Sequence, residues 1–125
     1  MTHKLEIYKC KICSNVIEVT HEGVGDLVCC NQNMTLMPEI EPSEENAHFA
    51  HIEKLSDIEK RIFFNHPMTP EHHLEYIEVI SSDKKYLKRK FLKQDDNPEL
   101  TFKCDCKEGF YVRLYCNIDG VYVTK

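Results

Sequence analysis

Residues 110–116 read FYVRLYC, and this stretch decides the architecture predicted for most of the chain. An extended strand places alternate residues on one face, and four apolar residues of the stretch share one parity. They are Phe110, Val112, Leu114 and Cys116. Because sheets packed face to face bury alternate residues, the stretch predicts a strand of a β-sandwich.

Six further short runs have the β-branched and aromatic composition of strands. They read HFAHIEKL (48–55), RIFFN (61–65), LEYIEVI (74–80), KKYLKRKFL (84–92), LTFKC (100–104) and VYVT (121–124). The breaks between them carry Ser, Asp, Asn, Pro and Gly, which favour turns, and no segment of useful length has the helical period. We therefore predict an all-β fold in which residues 39–125 form an immunoglobulin-like β-sandwich, entered through a polar linker at residues 39–46.

Residues 1–38 contain four of the seven cysteines and too few apolar residues to bury a core alone. Cys10 and Cys13 form a C-x2-C pair, and four thiolates can surround one tetrahedral ion. Cys29 and Cys30 are adjacent, so the backbone there must bend, because neighbouring side chains of a strand point to opposite faces. Domains of this size usually need a metal or disulfides to hold together, and the four cysteines predict a metal-bound module. The spacing leaves iron and zinc open, and a purely structural zinc knuckle is an alternative.

The composition limits the partners and the compartment. The 125 residues include 16 Lys and Arg against 21 Asp and Glu, a formal charge of −5, so nucleic acid is not expected as a partner. No run approaches the ~18 apolar residues that span a bilayer. The start, MTHKLEIYKC, does not resemble a signal peptide, so we expect a cytoplasmic protein away from membranes. In that reducing compartment seven cysteines and seven histidines favour metal binding over disulfides.

A second set of possible ligands lies in the sandwich region. His66 and His72 stand six residues apart in a segment that two prolines disfavour as helix, which suits a ligand loop. His48 is interpreted as opening a strand, and Cys116 ends the FYVRLYC strand before a turn. Each residue alone has an ordinary structural explanation, and only their combination with the four-cysteine motif indicates a particular family.

Six segments together resemble the desulfoferrodoxin family, the two-iron kind of superoxide reductase, over nearly the whole chain. They read KCKICSNVIEV (9–19), LVCCNQNM (27–34), HFAHIEK (48–54), HPMTPEHHLEYIEVI (66–80), KFLKQDDNPE (90–99) and YCNIDG (115–120). For residues 1–38 the resemblance implies a desulforedoxin-like iron module. Its ligands would be Cys10, Cys13, Cys29 and Cys30.

For residues 39–125 the resemblance implies a neelaredoxin-like superoxide reductase domain with a second iron. In that family four equatorial histidine nitrogens and one axial cysteine thiolate hold a ferrous ion, and superoxide binds at the open position. The matching residues are His48, His66, His72 and the axial Cys116.

The chain departs from the family pattern at two places. Asp119 stands where the family has its fourth histidine, and Asn46 and Ala47 stand where it usually has a glutamate and a lysine. Asp119 could bind the metal, which would lower the reduction potential, or could only shape the Asp-Gly turn. His51 and His73 neighbour expected ligands, but their odd offsets place them on the opposite strand face.

The resemblance implies one-electron reduction of superoxide to hydrogen peroxide, an electron donor such as rubredoxin, and a homodimer. The alternative that the missing histidine and lysine favour is a non-catalytic iron electron carrier or redox sensor. An oxygen-activating enzyme with two histidines and a carboxylate is a further alternative, against which the additional thiolate argues. Cys104 and Cys106 are interpreted as a core-facing C-x-C pair, with a redox or metal role as the alternative, and His3 and His21 as surface residues.

Overall fold

The computed structural model describes residues 1–104 and 108–125, which form two compact units, Met1–Pro38 and Glu39–Lys125. All the regular secondary structure of the described residues is β-strand, which confirms the all-β prediction. No helix in these ranges is long and apolar enough to cross a membrane.

The first unit is built from very short strands. They are β1 (Ile7–Lys9), β2 (Val16–Glu18), β3 (Val28–Cys29), β4 (Gln32–Asn33) and β5 (Thr35–Leu36). Strands β2, β1 and β5 form one antiparallel sheet in that order, and β3 pairs with β4 in a separate hairpin. Its buried apolar side chains are Ile7, Cys10 and Val19. So small a core agrees with the expectation that a bound ion helps this unit to fold.

The second unit is a sandwich of two sheets. Its strands are β6 (Glu39–Ile40), β7 (His51–Lys54), β8 (Glu59–Phe63), β9 (Leu74–Ser81), β10 (Leu87–Phe91), β11 (Glu99–Lys103), β12 (Phe110–Cys116) and β13 (Gly120–Thr124). One sheet has the order β10-β9-β12-β13-β6 and the other the order β11-β8-β7. Each of the seven runs predicted as strands overlaps one of β7 to β13.

The core of the sandwich lies where β12 faces the smaller sheet. Val112, Leu114 and Cys116 are buried in one cluster with residues of β8 and β11, and Phe110 packs against it. The intervening Arg113 is buried as well, which alternation alone does not predict. Its Nε donates to Oε1 of buried Glu78 at 2.8 Å, on the neighbouring strand β9, so the two charges compensate each other.

Two local expectations about the start of this unit were wrong. Residues 39–46 were predicted to be linker, but Glu39–Ile40 forms β6, which pairs in parallel with β13. A strand of two residues is too short to show alternation in the sequence, although it satisfies backbone groups at the edge of β13. His48 was expected to open a strand, but it lies in a turn before β7, because the backbone N–H of Phe49 donates to the Asn46 carbonyl at 3.0 Å.

Candidate metal centres

Three pieces of the second unit bring five possible ligands together. The turn before β7 carries His48, the loop between β8 and β9 carries His66 and His72, and the end of β12 with its following turn carries Cys116 and Asp119. One ligand atom from each lies within 4.8 Å of all the others. Three of the residues are buried, but the side chains of His72 and Asp119 are 32% and 35% exposed, so one side of the group is open to solvent.

Asn117 fixes the ligand loop against the turn that follows β12. Its Oδ1 accepts from the His73 backbone N–H at 2.9 Å, and its own N–H donates to the His73 carbonyl at 3.1 Å. Its Nδ2 also donates to the Glu71 carbonyl at 3.0 Å. These three bonds hold the segment around His72 in register with Asp119.

The hydrogen bonds of two histidines determine which ring nitrogen carries the proton. Nδ1 of His66 lies 2.7 Å from the Pro67 carbonyl, which can only accept, so this nitrogen is the donor. Nδ1 of His48 lies 2.7 Å from Oδ1 of Asn46, which likewise accepts. In each neutral imidazole the lone pair therefore lies on Nε2 and points into the group.

The atoms that meet in this group are hydrogen-bond acceptors. Nε2 of His48 and Nε2 of His66 lie 3.1 Å apart, and Oδ2 of Asp119 lies 3.1 Å from the first of them. Burial lowers the pKa of both histidines from the usual value, which favours their neutral forms. Because lone pairs and a carboxylate repel one another without a cation between them, the donor set fits a metal ion.

Cys116 and Asp119 supply the acidic part of the group. Sγ of Cys116 lies 3.6 Å from Oδ2 of Asp119 and 3.5 Å from Nε2 of His66, and it accepts the Asp119 backbone N–H at 3.4 Å. Burial raises the pKa of the thiol, so a bound cation must displace its proton. Burial opposes ionisation of Asp119, but the hydrogen bond with His72, the charge interaction with His48 and the hydrogen bond with Cys116 together outweigh it and lower the pKa of the carboxyl.

Asp119 reaches the group although it is shorter than a histidine. Its Oδ atoms are separated from Cα by the same number of bonds as Nδ1 of a histidine. The side chain can therefore place a ligand atom where Nδ1 of a histidine would lie. It also lies in the turn of residues 117–119. The two roles weighed from the sequence, metal ligand and turn residue, are therefore compatible.

The remaining histidines lie outside this group. His51 stacks on Phe63 at 5.3 Å between ring centroids, and His73 hydrogen-bonds through its ring to Thr69 and Glu75. His3 and His21 are exposed, as expected. Cys104 is partly buried against the core, and Cys106 lies outside the described residues.

The four cysteines of the first unit form a second group. One sulfur from each of Cys10, Cys13, Cys29 and Cys30 lies within 4.8 Å of the others. Sγ of Cys13 and Sγ of Cys29 lie 3.5 Å apart. The backbone bends at Cys30, where φ is +52°, and this is what brings adjacent side chains to one place. The predicted bend is confirmed, and four converging sulfurs fit a tetrahedral ion.

The cysteine knuckle prepares one of these thiols for metal binding. The Ser14 N–H donates to the Cys10 carbonyl at 2.9 Å, closing a tight turn. Hydrogen bonds from the backbone N–H groups of Cys13 and Ile12 lower the pKa of Cys10 to about 6. Hydrogen bonds with neighbouring thiols, first that of Cys13, raise the pKa of Cys30 to about 12. At neutral pH Cys10 is a thiolate, whereas Cys30 must lose a proton to bind metal.

Sequence reasoning missed two residues that shape the histidine–cysteine group. Asn46 binds His48, and an Asn two residues before a His could have indicated such a local bond. Tyr122 stacks on the His48 ring with centroids 4.0 Å apart and planes 2° apart. Because 74 residues separate them in the sequence, no local pattern could have revealed the second contact.

Fold and sites together define an all-β protein with a four-cysteine unit and a sandwich that carries a histidine–cysteine group. Residues 2–37 match the family model described as the N-terminal domain of desulfoferrodoxin, and residues 31–125 match the model described as desulfoferrodoxin. The chain therefore belongs to the desulfoferrodoxin family, as its sequence motifs predicted.

Relatives of known name agree over the full length. The desulfoferrodoxin of Syntrophotalea carbinolica is 40% identical over 100% of this chain and 99% of its own. The desulfoferrodoxin homolog of Methanothermobacter thermautotrophicus is 38% identical over 98% of this chain and 99% of its own. The crystal structure of the superoxide reductase from Treponema pallidum has the same fold, with a TM-score of 0.74, 21% identity and 98% of both chains covered.

Proposed function

We propose that this protein is a superoxide reductase. Superoxide would take one electron and two protons to become hydrogen peroxide, and no oxygen would be released. The observation that carries the proposal is the convergence of three imidazoles, one thiolate and one carboxylate in a chain of the desulfoferrodoxin family.

Each residue of the group has a part in holding the metal. His48, His66 and His72 would supply nitrogen ligands, Cys116 a thiolate, and Asp119 a carboxylate in place of a fourth histidine. A ferrous ion bound there would supply the electron for superoxide. The thiolate increases the electron density at the metal, which favours electron donation.

The exposed side of the group provides the path for substrate. The half-exposed His72 and Asp119 side chains border it, whereas His48 and Cys116 close the buried side. Superoxide is small enough to approach between such side chains. Ala47 stands where the family usually has a lysine, so the two protons would come from solvent.

The presence of Asp119 in place of a fourth histidine lowers the charge of the metal group. A ferrous ion with one thiolate and one carboxylate has a formal charge of about zero, against about +1 with a neutral histidine in place of Asp119. The lower charge weakens the attraction for anionic superoxide and lowers the reduction potential. Reduction of superoxide thus becomes easier for the metal, and its own re-reduction harder.

The first unit would hold a second metal at its four cysteines. Iron there would make this an electron-transfer module, and zinc would make it structural, since both accept tetrahedral thiolate sites. We further propose a cytoplasmic homodimer that receives electrons from a carrier such as rubredoxin. The homodimer and the electron carrier rest on the family resemblance.

A specific observation favours one alternative, a non-catalytic electron carrier or redox sensor. Oδ2 of Asp119 lies 3.0 Å from Nε2 of His72 and 3.1 Å from Nε2 of His48, which places negative charge inside the group. If the carboxylate excludes superoxide, the metal could still change its oxidation state.

The test is a pulse of superoxide applied to the fully reduced, iron-loaded protein. The proposal predicts fast oxidation, followed by the absorption of a ferric thiolate, with one peroxide formed per iron oxidised. The same experiment on Cys116→Ser is the control, with Cys29→Ser/Cys30→Ser in both samples to disable the four-cysteine group, because the thiolate absorption of the histidine–cysteine group must then disappear. An iron-loaded protein that does not react with superoxide would contradict the proposal and support the carrier or sensor.

A further inference from the structure

We propose that Asn46 is a positioning residue for the histidine–cysteine site, and that it holds His48 in the tautomer that offers Nε2 to a metal. The proposal rests on the metal binding proposed above and extends it to a residue outside the ligand group. The observation behind it is that the backbone N–H and the ring Nδ1 of His48 both hydrogen-bond to Oδ1 of Asn46.

The two bonds together determine the orientation of the amide. Oδ1 of Asn46 lies 2.8 Å from the backbone nitrogen of His48 and 2.7 Å from Nδ1 of its ring. A backbone N–H can only donate, so the atom that faces it must be the amide oxygen. That oxygen can only accept, so Nδ1 of His48 must carry the ring proton. The lone pair of the neutral ring is then on Nε2, which faces the other ligands.

Asn46 is itself held in place by the turn. Its backbone N–H donates to the Ser43 carbonyl at 3.0 Å, and its carbonyl accepts the Phe49 N–H at 3.0 Å. Tyr122 stacks on the His48 ring at 4.0 Å between centroids. The ring is therefore restrained at its Nδ1 edge by Asn46 and on its face by Tyr122, which leaves it one orientation.

The chemistry of the amide suits this particular group. A carboxylate acceptor at the same place would add negative charge beside Cys116 and Asp119, which already supply two acidic ligands. A neutral amide orients the ring and fixes its tautomer without that cost. Asn46, which stands where the family usually has a glutamate, therefore orients the ring without adding charge.

The tautomer can be measured directly in the metal-free full-length protein. Two-bond nitrogen–proton NMR at about pH 8, where an imidazole is neutral, distinguishes Nδ1–H from Nε2–H rings. We expect the Nδ1–H form for His48 in the parent protein and in Asn46→Asp, which keeps an acceptor oxygen. Asn46→Ala removes the acceptor, and we expect the Nε2–H form to appear.

Metal affinity gives the second readout. Titration with cobalt(II) in a Cys29→Ser/Cys30→Ser background isolates the histidine–cysteine site. We expect Asn46→Ala to weaken cobalt binding about 10- to 100-fold, and Asn46→Asp, which keeps the acceptor oxygen, to weaken it less. Glu45→Ala is the matched control, because Glu45 is an exposed residue of the same turn, and it should change neither the tautomer nor the affinity.

Two results would overturn the inference. One is an Nε2–H ring for His48 in the parent protein. The other is an Asn46→Ala variant that keeps both the Nδ1–H ring and the parental cobalt affinity. Neither measurement involves superoxide, so failure of the proposed activity would leave this inference standing, and the reverse also holds.

Discussion

Nε2 of His48 and Nε2 of His66 lie 3.1 Å apart, and in the neutral rings neither atom carries a proton. Two buried lone pairs at that distance repel each other, and the nearby carboxylate of Asp119 adds to the repulsion. The folded unit therefore carries an electrostatic cost that a bound cation removes.

Metal binding should accordingly stabilise the sandwich unit. In the Cys29→Ser/Cys30→Ser background, we expect cobalt(II) at a hundred times its dissociation constant to add about 2.7 kcal/mol to the free energy of unfolding. Thermal unfolding with the metal and with a chelator measures this. An unchanged melting temperature would show that the group binds no cation in the folded state.

Replacement of Asp119 should change the electrochemistry of the iron. Asp119→Asn removes one negative charge beside the metal, and we expect the reduction potential to rise by about 60 mV or more, a tenfold change in the one-electron equilibrium. Redox titration followed by optical absorption measures it. Asp57→Asn, at an exposed residue paired with Lys54, is the control and should leave the potential unchanged. Equal potentials in all three proteins would mean that Asp119 is only a turn residue.

The buried ion pair between β9 and β12 should contribute far more to stability than a surface pair. Glu78→Ala leaves the buried guanidinium of Arg113 without its main partner, and we expect a loss of about 3–5 kcal/mol. Glu53→Ala, which removes an exposed partner of Arg61, should cost less than about 1 kcal/mol. Urea unfolding compares the two variants, and similar losses would contradict the account.

Metal binding at the four-cysteine group should strengthen as the pH rises. Cys30, whose pKa is raised to about 12, keeps its proton at neutral pH and must release it to the solvent on binding. We expect the affinity to rise about tenfold or more per pH unit, and more steeply below about pH 6, where Cys10 is also protonated. Cobalt titrations followed by thiolate absorption test this, and a pH-independent affinity would rule out the proton release.

The strands and the possible ligands could be predicted because their signals are local. The parity of FYVRLYC, the C-x2-C spacing and the prolines around His66 each depend on a few adjacent residues. The burial of Arg113 could not be predicted, since its partner Glu78 lies 35 residues earlier and meets it only through strand pairing.

The surroundings of His48 were harder to predict for a similar reason. Its place in a turn depends on backbone bonds made by Asn46, and a strand-like composition in residues 48–55 outweighed that signal in the sequence. The position of Asp119 could be read from the family pattern. The sequence could not show that its side chain lies within the ligand group, because Asp-Gly is also an ordinary turn.

X-ray absorption at the iron edge shows directly whether the proposed group, formed by His48, His66, His72, Cys116 and Asp119, holds one iron. The sample is the iron-loaded Cys29→Ser/Cys30→Ser protein, in which the four-cysteine group is disabled. We expect one sulfur ligand together with nitrogen and oxygen ligands, and loss of that sulfur in a further Cys116→Ser change. An iron without a sulfur ligand, or one whose sulfur persists after that change, would contradict the proposed site.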